Sequence, residues 1–488
     1  MRGKSFGQLF YVFLFLCAAI TGGCDSNSSD PDLPGIGGES LAVTGGRGTS
    51  TEIVLNLEAE AGIQSLTVAV NGGSPQPVQV NTGATEQVLT YEFAIPASSV
   101  LGTQYSLLFT LTDNDDEKSD ITATVTTVRL IDTPETYSFT RNGESTVSHS
   151  GQNDRLNMVQ EMKAYLTTGD AGGQMSEQVL LDMFANTGGN GGGRFSFTSD
   201  RQLKDKTFAP DLDDRLFENL FASAAAASGN GNSGTSASKG TAGLIAREDN
   251  GKTILVDEKG REFTQLIEKG LMGAVFYSQI FNAYLTDNRI GELVENVEPA
   301  PGESYTPMEH HWDEAFGYWN PPLDFTSQWP EARKGELRFW TNYSNVVENV
   351  GGGQLGTNSI IMDAFKEGRT AIVNNDPISK NDQRDILYEY LELVAAATAV
   401  HYINDTLGHL DAGKTGEALH TLSEAWAFVN SLRYSPRRSI TLAQVNEIQI
   451  VDFGADGNFW DVTPAGLNKA KATLVGTYSK LASVQNDL

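Results

Sequence analysis

Cysteine is almost absent from this chain of 488 residues: Cys17 lies inside an apolar N-terminal run and Cys24 just beyond it. After residue 24 there is no thiol, which excludes a disulfide framework, thiolate metal sites and a cysteine nucleophile. Any metal site must use His, Asp and Glu. Basic residues are also few. The 34 Lys and Arg face 62 Asp and Glu, for a net charge of −28. Phosphate neutralisation requires clustered Lys and Arg, so nucleic acid is not expected as a partner, nor is docking on anionic lipid. The acids are spread along the whole chain, a pattern that fits solubility at high salt and attraction of cations. No apolar run reaches the roughly 20 residues that a bilayer-spanning helix needs. The Gly-rich stretches 188–193 and 222–240 lack the Lys-Ser/Thr of a phosphate cradle, so no nucleotide is expected.

What is present begins with Arg2 and Lys4, an apolar run over 9–20, and the small residues Thr21, Gly22 and Gly23. That layout is a secretory signal, expected over residues 1–23. Cys24 directly after it predicts acylation and a bacterial lipoprotein held in the membrane by its N-terminal lipid. Residues 24–40, rich in Ser, Asp, Pro and Gly, predict a lipidated flexible tether. The expected location is the cell envelope, on the periplasmic face or the cell surface.

Over residues 41–132 the apolar period is two. Ile53, Leu55 and Leu57 alternate with polar residues, as do Leu66, Val68 and Val70, and Leu107, Phe109 and Leu111. Short strands separated by turn signals predict an immunoglobulin-like β-sandwich. The acidic run Asp113–Asp116 has Lys118 and Thr124 where a calcium loop needs Gly and Glu, and so predicts a hairpin turn.

After Thr133-Pro134 the apolar spacing becomes three and four. It predicts helices over 155–166, 176–184, 212–227, 263–285, 307–319, 332–348, 356–367, 383–410, 415–432, 442–451 and 464–484. A short hairpin is expected over 253–263. So many amphipathic helices are expected to pack as bundles.

With only six histidines in the chain, their placement is informative. Glu309-His310-His311-Trp312-Asp313-Glu314 sets Glu314 four residues from His310 and three from His311, on a shared helix face. His420 and Glu424 repeat the spacing. Both segments read His-x-x-x-Glu-Ala-aromatic, then a small residue and a second aromatic. The echo predicts a duplicated bundle whose equivalent helices meet near a pseudo-twofold axis. His310, His311, Asp313, Glu314, His420 and Glu424 are the candidate metal ligands, since imidazole and carboxylate together suit a borderline divalent or ferric ion. A carboxylate–imidazole pair also orients a helix without any metal. Trp312, Phe316, Tyr318, Trp426 and Phe428 are expected in the core, and His401 and His409 as ordinary helix residues.

The segment HHWDEAFGYW, with FYSQIFNAYL before it and LHTLSEAWAF after it, resembles a bacterial domain of unknown function found in exported lipoproteins. That domain is similar to the imelysins, which are two helical bundles with a Gly-x-His-x-x-Glu motif, are associated with iron uptake and in some cases carry a peptidase label. His311-Trp312-Asp313-Glu314 matches the His-x-x-Glu core, and Glu309 stands where the motif has Gly. The resemblance implies an all-α domain of two bundles over 136–488. It also implies iron or another divalent or trivalent metal as cofactor. The leading expectation is a non-enzymatic lipoprotein that binds a metal, or a metal-bearing ligand, between the bundles for uptake, with an outer-membrane transport component as partner. The alternatives are an interaction or structural lipoprotein without metal, and a metallopeptidase. For the last, the His-Glu-x-x-His motif of the familiar zinc peptidases is missing.

Overall fold

The computed structural model describes residues 33–488, so the signal segment and Cys24 lie outside the described residues. The chain divides into two compact units. One comprises the residues up to Val43 with Glu52–Glu92 and Tyr105–Thr124; the other comprises Thr44–Thr51, Phe93–Gln104 and Val125–Leu488.

The N-terminal region is β-rich, with β1 (Gly35–Gly37), β2 (Ala42–Gly46), β3 (Ser50–Glu58), β4 (Ile63–Val70), β5 (Gln76–Val78), β6 (Glu86–Ala94), β7 (Gln104–Asp113) and β8 (Lys118–Val128). They form a three-stranded sheet in the order β1-β3-β6 and a five-stranded sheet in the order β2-β8-β7-β4-β5. Alternation decides which side chains are buried: Ile53, Leu55 and Leu57 are covered while Asn56 and Glu58 face water. In the antiparallel β4–β7 pair, Leu66 lies opposite Leu111 and Val68 opposite Phe109, which joins apolar positions across the ladder. The acidic run is the turn that ends β7. Asp113 Oδ1 accepts from the Asp115 and Glu117 N–H groups at 3.0 and 2.9 Å, so this carboxylate is occupied by backbone.

From residue 150 the chain is mainly helical: α1 (Ser150–Asp170), α2 (Glu177–Phe184), α3 (Ala209–Asp213), α4 (Leu216–Asn232), α5 (Phe263–Leu271), α6 (Asp287–Ile290), α7 (Pro307–Trp319), α8 (Phe339–Val350), α9 (Thr357–Asn374), α10 (Pro377–Asp411), α11 (Thr415–Ser431), α12 (Leu442–Glu447) and α13 (Pro464–Thr477). The helix expected over 263–285 is α-helical only to Leu271 and then makes two π-helical turns, Met272–Tyr277 and Ile280–Tyr284. The helix expected from 383 starts earlier. Asp376 accepts from the Ser379 N–H at 3.0 Å and Pro377 occupies the first helical position, so a polar first turn is recruited. The hairpin also differs from expectation. β12 (Thr253–Val256) pairs back with β11 (Gly243–Ala246), and the 257–260 turn closes only a bridge between Val256 and Glu262. A second small hairpin joins β9 (Thr140–Arg141) to β10 (Glu144–Ser145).

α10 packs against α9 and α11, while α5 packs against α1 and α11. Small buried residues, Ala395, Ala396, Ala397 and Ala399, permit the close approach to α10. Gly368 on α9 has the same use. A Cβ there would lie 2.1 Å from the Trp312 ring, whose Nε1 donates to the Phe365 carbonyl at 2.9 Å. Gly368→Ala is therefore expected to cost about 1–3 kcal/mol by overpacking, read as a lower urea midpoint with an unchanged m-value.

Candidate functional site

α7 starts from a capping box. The Thr306 hydroxyl accepts from the Glu309 N–H, and the Glu309 carboxylate accepts from the Thr306 N–H at 2.8 Å. The same carboxylate receives two Arg141 nitrogens, at 3.0 and 2.9 Å, and lies 3.0 Å from Arg369. Glu309 thus closes the helix start and balances two guanidinium groups. One turn on, Asp313 is fully buried against the fully buried Arg369, with Nε 3.1 Å from Oδ1, and accepts from the Tyr137 hydroxyl at 2.7 Å. Burial pushes its carboxyl up to about 6, against the pull of Arg369 and Tyr137.

Glu314 lies on another side of α7. It accepts from Gln152 at 3.1 Å, pairs with His311 Nδ1 at 3.0 Å and is 3.9 Å from His310 Nε2. Burial alone would raise its pKa, but the two histidines and Gln152 outweigh it and hold the group below the usual range. Tyr305 stacks on the His310 ring at 4.5 Å, and Arg289 is 3.4 Å from His311 Nε2. Glu314 thus joins the two histidines, while Asp313 is committed to Arg369.

The α11 segment sits in a different place. His420 Nδ1 is 2.6 Å from Glu262 Oε2, at the N-cap of α5, and His420 Nε2 is 3.5 Å from Glu424 Oε1. These three line a cleft of 790 Å³ with Asp170, the last residue of α1, and Gln265. Asp170 accepts from the Leu255 N–H at 2.9 Å and the Thr264 hydroxyl at 2.7 Å. Burial and the neighbouring Glu262 nevertheless push its carboxyl up to about 7. Glu424, 6% exposed, and Gln265, 5% exposed, each keep one buried oxygen without a hydrogen-bond partner. For His420, burial lowers the pKa, but the bond and charge of Glu262 with the charge of Glu424 raise it on balance.

The two histidine segments do not share a pocket. Gln152, beside Glu314, and Asp170, beside His420, lie at opposite ends of α1, so about 27 Å of helix separates the clusters. His401 pairs with Asp405 at 3.5 Å. His409 belongs to a triad with Asp249 and Glu417 whose ligand atoms lie within 4.8 Å of one another. Both acids of that triad are already neutralised, Asp249 by Lys414 and Glu417 by Arg247 at 2.7 Å. Asp170 at the end of α1 and the Glu262/Gln265 pair at the start of α5 escaped notice because both lie far in sequence from His420 and Glu424. The available hint was the turn residue Gly260, at φ 82°, which brings Glu262 to the start of α5.

Residues 134–480 match a family described as a domain of unknown function, DUF4856. No curated protein matches the chain. Among solved structures, one similarity is to a polysaccharide lyase, at 8% identity and a TM-score of 0.14, over 93% of this chain and 57% of that one. Another is to Salmonella alpha-2-macroglobulin reacted with methylamine, at 11% identity and a TM-score of 0.14, over 93% of this chain and 26% of that one. The chain thus spans less than two thirds of either, and at these scores neither likeness informs fold or activity.

Proposed function

We propose that this chain, which belongs to the DUF4856 family, is an exported lipoprotein that binds a metal cation in the cleft at the C-terminal end of α1, with His420 and Glu424 as inner ligands. The observation that carries the reading is how the two nitrogens of His420 are faced. At 2.6 Å from Glu262, Nδ1 carries a proton and donates it to the carboxylate. A neutral ring then presents the Nε2 lone pair to Glu424 Oε1 at 3.5 Å, acceptor against acceptor. Only a second proton or a cation makes that approach favourable. One oxygen each of Glu424 and Gln265 keeps no hydrogen-bond partner in the same cleft, although Glu424 also faces Tyr402 and the charge of Lys269; such buried acceptors call for an ion or water. Glu262 takes the part of the outer carboxylate that fixes the ring of a metal-bound histidine. Imidazole, carboxylate and amide oxygen suit iron or another first-row divalent ion, or a trivalent one.

In this reading the leader ending at Cys24 tethers the protein by lipid in the cell envelope. The two sheets pack as an immunoglobulin-type sandwich, and the helical region forms two imelysin-like bundles. The captured ion passes towards an outer-membrane transport component. The α7 half of the echoed motif is read as architectural, because Glu314 is already held by Gln152 and His311, and the neighbouring Glu309 and Asp313 are neutralised by Arg141 and Arg369.

The test is calorimetric titration of the full chain with Zn²⁺, a redox-inert probe, in two buffers of different ionisation enthalpy. Binding should release about one proton, taken from His420, and weaken as pH falls past its raised pKa. His420→Ala should abolish it, and Glu262→Gln should weaken it by about 10–100-fold. Asp249→Asn should leave it unchanged. Binding that survives His420→Ala, or that is lost in Asp249→Asn, sinks this assignment.

A further inference from the structure

We infer that a second cavity, beside the N-terminus of α10, is a binding site for a small amphiphilic monocarboxylate. The cavity measures 470 Å³, and all its lining residues belong to the second compact unit. Its volume is in the range of small-molecule sites, roughly 300–1,000 Å³. Two buried cations line it. Arg47, 8% exposed, donates one nitrogen to the Asn296 carbonyl and keeps Nη1 without a hydrogen-bond partner. Lys380, 4% exposed, donates to the Ile290 carbonyl, and an ammonium carries three donors.

The acceptors of the cavity are, by contrast, occupied. Asp376 takes the Ser379 N–H at 3.0 Å and its hydroxyl at 2.5 Å, while Glu295 takes the N–H groups of Val297 and Glu298 at 2.6 and 3.0 Å. Asn296 Oδ1 takes the Thr306 hydroxyl at 3.1 Å, and Glu292 is exposed to water. Arg47 also borders a neighbouring cavity near Glu309, whose carboxylate Arg141 and Arg369 already hold. The buried part of the site therefore has hydrogen-bond donors to spare, on Arg47 and Lys380. Burial lowers the pKa of both cations, a penalty that a bound anion would remove.

A single negative charge fits better than phosphate. Glu292, Glu295 and Asp376 stand on the same walls and would repel a dianion. The remaining wall, including Val294, Met308 and Ile372, is apolar and takes a hydrocarbon body.

Octanoate is the probe, titrated into the full chain by calorimetry, with octylamine and inorganic phosphate as comparators. Saturable octanoate binding is expected, with neither comparator binding. Lys380→Met should weaken it by about tenfold or more, the loss expected for a hydrogen bond to a charged group. Val294→Phe, which narrows the cavity from its apolar wall, should weaken it as well, while both variants keep the parental melting profile. Octylamine binding as tightly as octanoate would mean that only the apolar wall is read. Phosphate binding that Lys380→Met removes would make this an inorganic-anion site. Octanoate affinity unchanged in both variants, or no saturable binding, also overturns the assignment.

Discussion

Arg369→Met is expected to destabilise the protein by about 3–5 kcal/mol, because it leaves Glu309 and Asp313 as buried carboxylates with too little positive charge. Both acids and the guanidinium are shielded from water, so solvent cannot take over the lost role. The loss should depend on pH. Asp313 is held up to about 6 by burial, so below that value it is protonated and leaves less charge stranded when Arg369 is gone. The deficit of the variant should thus be smaller at about pH 5 than at about pH 8, as measured by urea denaturation at each. Adding Glu309→Gln and Asp313→Asn to Arg369→Met should recover much of the stability, since deleting a buried ionic group entirely is far milder than breaking it. Equal midpoints for the parent and the single variant would show that the network contributes nothing.

Asp170→Asn should act in the opposite direction and stabilise the protein above neutrality. The folded-state pKa of Asp170, about 7, is raised from an ordinary 3.8, so the folded protein holds this proton more tightly than the unfolded chain. The sign follows directly. Its contribution to stability is greatest below about pH 4, declines as pH rises through the window up to about 7, and stays lost beyond it. A shift of about three pH units at about 1.36 kcal/mol each caps the penalty near 4 kcal/mol, and the cleft's access to water brings it to about 2–4 kcal/mol. The asparagine retains an oxygen for the Leu255 N–H and has no charge to bury. Comparing urea curves at about pH 5 and about pH 8 should show the parent losing stability while the variant stays nearly level. If the His420 cleft takes Zn²⁺, the ion should rescue the parent at the higher pH, because it favours the ionised form of Asp170.

The period-two run around Ile53, Leu55 and Leu57 and the three-four spacing of α7 were legible because each reflects one element meeting one core. The β-rich region followed by a helical one could therefore be read ahead of the structure, and the bounds of α7 were read correctly. Starts such as that of α10 were less legible, since capping by Asp376 and Pro377 extends a helix into polar sequence that periodicity does not score. At the candidate site, the spacing of His420 and Glu424 was visible, but their partners were not. Glu262 lies 158 positions before His420 and reaches it only through the packing of α5 against α11. The echo of the α7 motif in α11 is real as sequence, yet the same letters serve different surroundings. Glu314 accepts from Gln152 and pairs with His311 Nδ1, while its counterpart Glu424 keeps one oxygen without a hydrogen-bond partner.

α10 runs from Pro377 to Asp411 with no proline or glycine between Lys380 and Tyr402. Lys380 stands at the arginine-lined cavity, and the charge of Glu424 acts on Tyr402 from the cleft around His420. One uninterrupted rod therefore fixes the two cavities about 33 Å apart along its axis. With no kink-forming residue between them, it works as a ruler rather than a hinge. Ligands bound in both cavities would then be held at a constant spacing.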